Sequence, residues 1–172
     1  MPATLPQQIL SALSGLTGQY HQLLLVVGLG RTGKSAALAE LGQRRGVPPL
    51  NFNLALATRI HDLTKRQRRL RAAVMVEDAI VEHGGDVVFI DNTEMMFHPD
   101  LALDPLALLQ SLARARTIVA AWRGLYRKGI LTYSEPSHPE HRSYDHPPVP
   151  IVTADVGLAS DPSAGTNQAP SS

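Results

Sequence analysis

Eight consecutive residues, 28–35 (GLGRTGKS), have the types and spacing that bind the phosphates of a nucleotide. They match the pattern G-x-x-x-x-G-K-[ST] at every fixed position and directly follow the apolar run 23–27. Glycines in such a turn let backbone N–H groups converge on an anion. Lys34 would then reach the β- and γ-phosphates, and the Ser35 hydroxyl would reach Mg²⁺. We call residues 28–35 the glycine-rich loop.

The alternative for this loop is a strand–turn–helix junction that contains Lys-Ser by chance. An apolar strand before it and a helical pattern after it, over 36–45, argue for the functional interpretation. The helix that begins near Gly33 adds the positive end of its dipole to the same site. The predicted nucleotide-binding residues are Gly28, Gly30, Arg31, Thr32, Gly33, Lys34 and Ser35.

A carboxylate further along the chain completes the predicted metal site. The run 87–90 (VVFI) is entirely apolar and ends at Asp91. A buried strand of this kind would deliver the carboxylate to the edge of the sheet where the glycine-rich loop lies. Ser35 and Asp91 are therefore the predicted Mg²⁺ ligands. The other interpretation is that Asp91 caps the turn that leaves the strand.

Two residues after this strand bear on whether a bound nucleotide is hydrolysed. Many P-loop ATPases of the strand-inserted class carry Glu directly after the metal-associated Asp, and here that position is Asn92. An amide orients water but cannot accept its proton. Glu94 could act as the base, or it is a solvated acid in the first turn of a helix. The predicted catalytic residues are Lys34, Asp91, Asn92 and Glu94.

An arginine that stabilises the transferred phosphoryl group is also expected. Arg123 ends the predicted fourth strand, where related ATPases have a polar residue that senses the γ-phosphate. The alternative is an exposed arginine that opens a loop. The sequence does not rank the candidates for an arginine supplied to a neighbouring subunit, which are Arg114, Arg116 and Arg127.

The elements that must position these residues alternate between strands and helices. Hydrophobic runs predict strands over 22–27, 50–54, 86–91, 117–122 and 149–153, with an edge or hairpin strand over 129–133. Helical patterns cover 6–16, 34–45, 56–63, 64–83 and 105–113. This alternation predicts a three-layer α/β fold with a mainly parallel, five-stranded sheet, whose ligand site is at the carboxyl ends of the strands.

Composition indicates one soluble domain. The chain has 172 residues, a net charge of +1 and no cysteine, so neither disulfides nor a general affinity for nucleic acid or membranes is expected. Neither a signal peptide nor an apolar run that could span a bilayer is recognised, and we expect a cytoplasmic protein. The predicted NTPase domain covers 1–153 without a separate lid domain, and a disordered tail rich in Ser, Pro, Gly and Ala covers 154–172.

Five cationic residues occur within seven positions of the predicted helix 64–83. At about 100° per residue, Leu63, Leu70, Val74 and Val81 share one narrow face, and the charges lie off it. We expect this apolar stripe to pack on the sheet and the charges to face outward. They would form a solvated face or contact DNA phosphates or an acidic partner. The predicted DNA-contacting residues are Lys65, Arg66, Arg68, Arg69 and Arg71.

Four segments together, 28–35, 50–54, 87–94 and 130–140, resemble the BrxF family, the small P-loop proteins of type 3 BREX bacteriophage-defence systems. The most distinctive part is 131–140 (LTYSEPSHPE), whose role stays open. The resemblance implies an AAA+-like or RecA-like ATPase core. It also implies action with other defence proteins in a system that separates self from phage DNA.

The sequence thus predicts a Mg²⁺-dependent ATPase that works as a homo-oligomer or inside a larger complex, away from membranes. Two other functions use the same loop. One is a small-molecule or nucleoside kinase, and the other is a nucleotide-gated binding module that hydrolyses slowly, which Asn92 favours. No motif that reads a base is recognised, so ATP and GTP are not distinguished.

Overall fold

A mostly parallel β-sheet forms the centre of the computed structural model, which describes residues 2–134 and 138–154. The described residues contain seven strands: β1 (Leu23–Gly28), β2 (Leu50–Asn51), β3 (Val87–Asp91), β4 (Thr117–Arg127), β5 (Ile130–Tyr133), β6 (Arg142–Asp145) and β7 (Ile151–Thr153). Five are parallel, in the order β2–β3–β4–β1–β7. The sequence predicted this α/β class and these five strands, and most of its predicted tail lies outside the described residues.

Helices cover both faces of the sheet. They are α1 (Leu5–Ser14), α2 (Lys34–Arg45), α3 (Phe52–Ile60), α4 (Lys65–His83) and α5 (Pro105–Leu112), with short 3₁₀ turns at Glu94–Phe97 and Pro99–Leu101. One face of the sheet packs against α1 and α2, and the other packs against α3, α4 and α5. Continuous apolar strands suit a sheet that is buried on both faces. Of the helices in the described ranges, none has both the length and the apolar character needed to cross a membrane.

Strand order determines which chain ends meet at the carboxyl edge of the sheet. β4 lies between β1, which enters the glycine-rich loop, and β3, which ends at Asp91. Gly28 is in register with Arg123 on β4, and Asp91 is in register with Asn51 on β2. This edge therefore collects four segments that are far apart in sequence.

The fourth strand is longer than predicted. It continues past Trp122 to Arg127, and its last four residues pair antiparallel with β5, which in turn pairs with β6. The hairpin expected over 129–133 is confirmed, whereas β6 was not predicted. Gly124 permits the hairpin, because a Cβ there would lie 1.8 Å from the carbonyl oxygen of Thr132.

The predicted strand over 50–54 is wrong beyond its first two residues. Only Leu50–Asn51 is extended, and α3 begins at Phe52 rather than at residue 56. The Asn51 side chain accepts a hydrogen bond from the Leu54 N–H (3.1 Å) and thereby caps the helix. Phe52 and Leu56 are both fully buried at a spacing of four, which is the helical period.

The predicted orientation of α4 is also wrong. Leu70, Val74 and Val81 are 71%, 59% and 51% exposed, so the stripe expected to pack on the sheet faces away from it. The buried face of α4 carries mostly smaller or more flexible side chains instead. Its buried residues are Ala72, Met75, Val76, Ala79 and Ile80. The main neighbours of α4 are α3 and the 3₁₀ turn Pro99–Leu101, so its buried face is determined by contacts that the hydrophobic pattern of the sequence does not reveal.

Candidate functional site

The glycine-rich loop is a tightly wound turn between β1 and α2. Arg31 and Gly33 have positive φ angles of 62° and 88°. A Cβ on Gly28 would lie 2.6 Å from the Ala154 carbonyl oxygen and 2.7 Å from Thr32 Oγ1, so no larger residue fits. The Thr32 hydroxyl donates a hydrogen bond to the Leu29 carbonyl (2.9 Å), which closes the turn.

The first turn of α2 provides backbone donors at this loop. Its N-cap is Gly33, which has no side chain to accept hydrogen bonds from the first helical amides. Those N–H groups and the positive end of the helix dipole are therefore directed at the loop. Ser35, in the same turn, is exposed. The free N–H groups of this turn and the Ser35 hydroxyl can together bind an anion.

Lys34 extends back over the loop. Its ammonium group donates hydrogen bonds to the carbonyl oxygens of Gly28 and Leu29, both at 2.7 Å, and to Thr32 Oγ1 at 3.1 Å. Burial lowers the pKa of Lys34, and the charge of Arg123 acts in the same direction. The carboxylates of Asp91 and Glu94 oppose this by raising the pKa. Arg123 is in register with Gly28, and Asp91 ends the strand on the other side of β4, so these predicted charged residues lie at the same edge of the sheet as Lys34.

Asp91 ends β3 at the same edge of the sheet and is half-buried. Its Oδ1 accepts a hydrogen bond from the Asn92 N–H (2.9 Å), so the turn-capping contact that the sequence suggested does form through one oxygen. Asn92 is exposed and has a φ of 53°, which turns the chain out of the strand. The carboxylate is thus fixed where the strand stops.

Glu94 is held in place by Asn53, a residue that the sequence analysis missed. Asn53 Nδ2 donates to Glu94 Oε2 (3.0 Å), and Asn53 Oδ1 accepts from the Met95 N–H (2.8 Å). The Asn53 N–H also donates to the Asn92 carbonyl oxygen (2.9 Å). Three hydrogen bonds from one residue fix the segment 92–95. Glu94 is therefore a half-buried, oriented carboxylate rather than a freely solvated one.

Thr93 is a second site residue that the sequence analysis missed. It is 4% exposed, and its hydroxyl donates to the Ala121 carbonyl oxygen on β4 at 2.6 Å. This hydrogen bond joins the turn after β3 to the neighbouring strand. The only sequence signal for it is a hydroxyl residue between two polar residues at the end of an apolar strand.

The candidate arginines lie at different places. Arg123 is close to the loop, since a Cβ on Gly30 would be 3.7 Å from its Nη2. It is exposed, as that alternative held, but it lies within β4, so it neither ends the strand nor opens a loop. Arg127 is at the far end of β4, in the hairpin. Arg114 stacks on Tyr20, 4.9 Å from the ring centroid, and precedes the amino end of β4, as does Arg116.

A cavity of about 960 Å³ adjoins Glu94 and Arg123. One wall is the β4–β5 hairpin, and another is formed by residues 138–141. Its lining is mainly apolar and includes Leu29 of the glycine-rich loop. A volume of this size is in the range of small-molecule sites.

The predicted metal ligands are a hydroxyl and a carboxylate. In the part of the chain that the structure describes, no three or more His, Cys, Asp or Glu side chains are grouped so that they could hold a metal. Mg²⁺ commonly takes one or two protein oxygens and completes its shell with waters and phosphate oxygens. The hard oxygen donors of Ser35 and Asp91 therefore suit Mg²⁺, which does not need a complete set of protein ligands.

Neither protein-family models nor curated proteins give a match to this chain. The features of the chain that indicate a function are therefore Lys34, Asp91, Glu94 and Arg123 and their arrangement around the loop.

Proposed function

We propose that the chain is a Mg²⁺-dependent nucleoside triphosphatase, with ATP as the expected nucleotide. The observation that carries the proposal is the grouping of Lys34, Asp91, Glu94 and Arg123 at the carboxyl edge of three adjacent strands, where β4 lies between the loop strand and the Asp91 strand. They surround a glycine-rich loop that leads into an uncapped helix. Cationic, anionic and backbone donor groups on one concave edge match the needs of phosphoryl transfer.

Phosphate binding is assigned to the loop amides, the first turn of α2 and Lys34. The ammonium group of Lys34 donates to two loop carbonyls, and phosphate oxygens are stronger acceptors because they carry charge. On nucleotide binding, Lys34 would exchange these neutral acceptors for the β- and γ-phosphates. Its partial burial strengthens that attraction.

Ser35 and Asp91 would hold Mg²⁺, which neutralises charge on the phosphates when it is bound. Insertion of β4 between the loop strand and the Asp91 strand is the feature that gives the strand-inserted class of P-loop ATPases its name. This topology supports the assignment of Asp91 as the partner of the glycine-rich loop.

Glu94 is assigned as the base for the attacking water. The water oxygen forms a bond to the γ-phosphorus, the bond to the β–γ bridging oxygen breaks, and Glu94 accepts the water proton. Asn53 orients the carboxylate through its 3.0 Å hydrogen bond. Arg123, beside Gly30, would stabilise charge on the transferred group.

The cavity beside Glu94 and Arg123 favours one second candidate, a small-molecule kinase. Hydrolysis needs space for a water, whereas about 960 Å³ accommodates an organic acceptor. In that reaction the acceptor's hydroxyl oxygen takes the γ-phosphoryl group, and ADP forms without free phosphate. Action with other phage-defence proteins on DNA is a further part of the proposal, and it rests on the resemblance to the BrxF family alone.

The first experiment measures nucleotide binding, ADP formation and phosphate release in parallel, with and without Mg²⁺. We expect Lys34→Ala to lose ATP binding. We expect Asp91→Ala to bind ATP but to lose Mg²⁺-dependent hydrolysis by about 100-fold. Lys65→Ala and Asp62→Ala change surface residues of the same types and should behave as the wild type.

Mg²⁺-dependent turnover of the wild-type rate in both site variants would overturn the mechanism. Equal amounts of ADP and phosphate indicate hydrolysis. ADP without phosphate, and only after an acceptor is added, indicates the kinase. ATP binding with no turnover in a single-turnover measurement indicates the slow binding module.

A further inference from the structure

Helix α4 has a second apolar stripe on the side opposite to the core. Leu70, Val74 and Val81 are 71%, 59% and 51% exposed. At about 100° per residue their directions fall within about 40° of one another. The buried residues of α4 point the other way. Large aliphatic side chains aligned along one exposed helix face are typical of a surface that another helix covers.

Charge is divided along this same helix. The first seven residues, 65–71, contain five cations and no acid, whereas Glu77, Asp78 and Glu82 follow in the second half. A helix with one basic half and one acidic half complements a copy of itself that runs in the opposite direction. The apolar stripe extends across both halves, so the same overlap would bury it.

We propose that α4 is the contact surface of a symmetric homodimer in which two α4 helices pack antiparallel. A twofold axis places the same flank of both helices together. Arg71 and Asp78 are two turns apart on one flank of the stripe, about 20° from each other around the helix. With the axis midway between them, each Arg71 faces the partner's Asp78, and the ion pair forms twice.

The same overlap brings the apolar residues together. Leu70 of one copy then lies at a height between the partner's Val74 and Val81, as a knob between two turns. Both Arg71 and Asp78 are exposed. Neither takes part in an ion pair among the described residues. Glu82, by contrast, is already bonded to Arg59 of its own chain.

This arrangement favours a second copy over DNA as the occupant. The acidic half of α4 would repel a phosphate backbone that follows the helix. The aliphatic side chains of the stripe have no charge or hydrogen-bond donor with which to bind phosphate. Lys65 and Arg68 are also partly engaged within the chain. Lys65 pairs with Asp100 at 3.6 Å, and Arg68 Nε donates to the Leu63 carbonyl at 3.0 Å.

The test is sedimentation velocity of the full chain over a concentration series. We expect the wild type to pass from 18.6 kDa to twice that mass as concentration rises. Leu70→Asp should remain monomeric, with an unchanged thermal unfolding midpoint at low concentration because the residue is exposed. A wild type that stays monomeric at millimolar concentration, or a dimer that Leu70→Asp leaves intact, overturns the proposal.

A charge exchange tests the antiparallel register. Arg71→Asp and Asp78→Arg should each weaken the dimer by about tenfold, and the double variant should restore it. Arg44→Asp, on the opposite face of the molecule, is the control and should have no effect. Failure of the double variant to recover overturns the proposed pairing. Salt-sensitive binding of duplex DNA by a monomer, lost in Arg66→Glu/Arg69→Glu, would instead assign α4 to nucleic acid.

Discussion

Asn53 is the residue on which the candidate site most depends outside the motif itself. It lies at the start of α3, and its side chain and backbone together make three hydrogen bonds to the segment 92–95. A carboxylate that acts as a base must be aimed at its water before the reaction begins. The side-chain amide of Asn53 orients the carboxylate, because its Nδ2 donates to Glu94 and its Oδ1 accepts from the Met95 N–H.

Replacement of Asn53 should therefore lower the hydrolysis rate without weakening nucleotide binding. We expect Asn53→Ala to reduce kcat about tenfold and to change the Kd for ATP less than twofold. Asn53→Asp keeps the acceptor for the Met95 N–H but sets a negative charge against Glu94, so it should be at least as slow. Single-turnover rates and fluorescent-nucleotide titrations measure the two quantities. A wild-type rate in Asn53→Asp would exclude the positioning role.

Residues of the site differ in how far the sequence could predict them. Lys34 and Ser35 follow from a local pattern, and Asp91 follows from the apolar run before it. Asn53 and Thr93 do not, because their partners are distant in sequence: Asn53 bonds to a residue 41 positions away and Thr93 to one 28 positions away. Such contacts exist only after β2, β3 and β4 have come together.

At the scale of elements, the extension of β4 forms one wall of the cavity. The strand passes from parallel pairing with β1 to antiparallel pairing with β5 without a break. Gly124 is the first residue of the antiparallel part, and its backbone lies against the Thr132 carbonyl group. The same carbonyl oxygen accepts a hydrogen bond from Trp122 Nε1 (3.0 Å). The close approach of the two backbones at Gly124 thus fixes the hairpin to the core.

Gly124→Ala should destabilise the protein by about 2 kcal/mol or more, because a Cβ would lie 1.8 Å from a backbone oxygen that cannot move freely. Gly15→Ala is the matched control. Its Cβ would lie 3.4 Å from the Ala12 carbonyl oxygen, so stability should change by less than about 1 kcal/mol. Urea unfolding of both variants tests this. Equal stabilities would show that the hairpin shifts to accept a methyl group.

The errors in predicting elements have physical causes. Residues 50–54 alternate in a manner that suits a strand, yet Asn51 caps a helix once the parallel pairing with β3 ends after two residues. For α4, the choice between two apolar stripes depends on its packing against α3 and the 3₁₀ turn Pro99–Leu101, which are its main neighbours. The face that packs there includes small residues such as Ala72 and Ala79, so hydrophobicity alone selects the wrong stripe.

Across the whole molecule, an aromatic cluster joins the hairpin to the turn that follows Glu94. Phe97 and Tyr133 stack with ring centroids 3.5 Å apart, and Trp122 meets Phe97 edge-on at 4.9 Å. Tyr144 on β6 packs against Trp122, and its hydroxyl donates to Asp104 at the start of α5. Burial is the main cause that raises the pKa of both tyrosines to about 12.

The raised pKa values of these tyrosines predict how the free energy of unfolding depends on pH under alkaline conditions. An unfolded tyrosine loses its proton near pH 10, whereas folded Tyr133 keeps its proton until about pH 12. Between these values the folded state binds more protons, so stability falls as the pH rises. Each such group contributes up to about 1.4 kcal/mol per pH unit, and below pH 10 its contribution is constant.

Tyr133→Phe should remove one of these contributions. We expect the free energy of unfolding to fall less steeply between pH 10 and 12, by about 1 kcal/mol per pH unit, with little change at pH 8. Tyr20→Phe, at a tyrosine that is 67% exposed, is the control and should keep the wild-type slope. Urea unfolding at half-unit pH intervals measures it. If the unfolding free energies of the wild type and Tyr133→Phe fall equally steeply with pH, the phenol is solvated in the folded protein. The aromatic cluster would then not exclude water between the hairpin and the core.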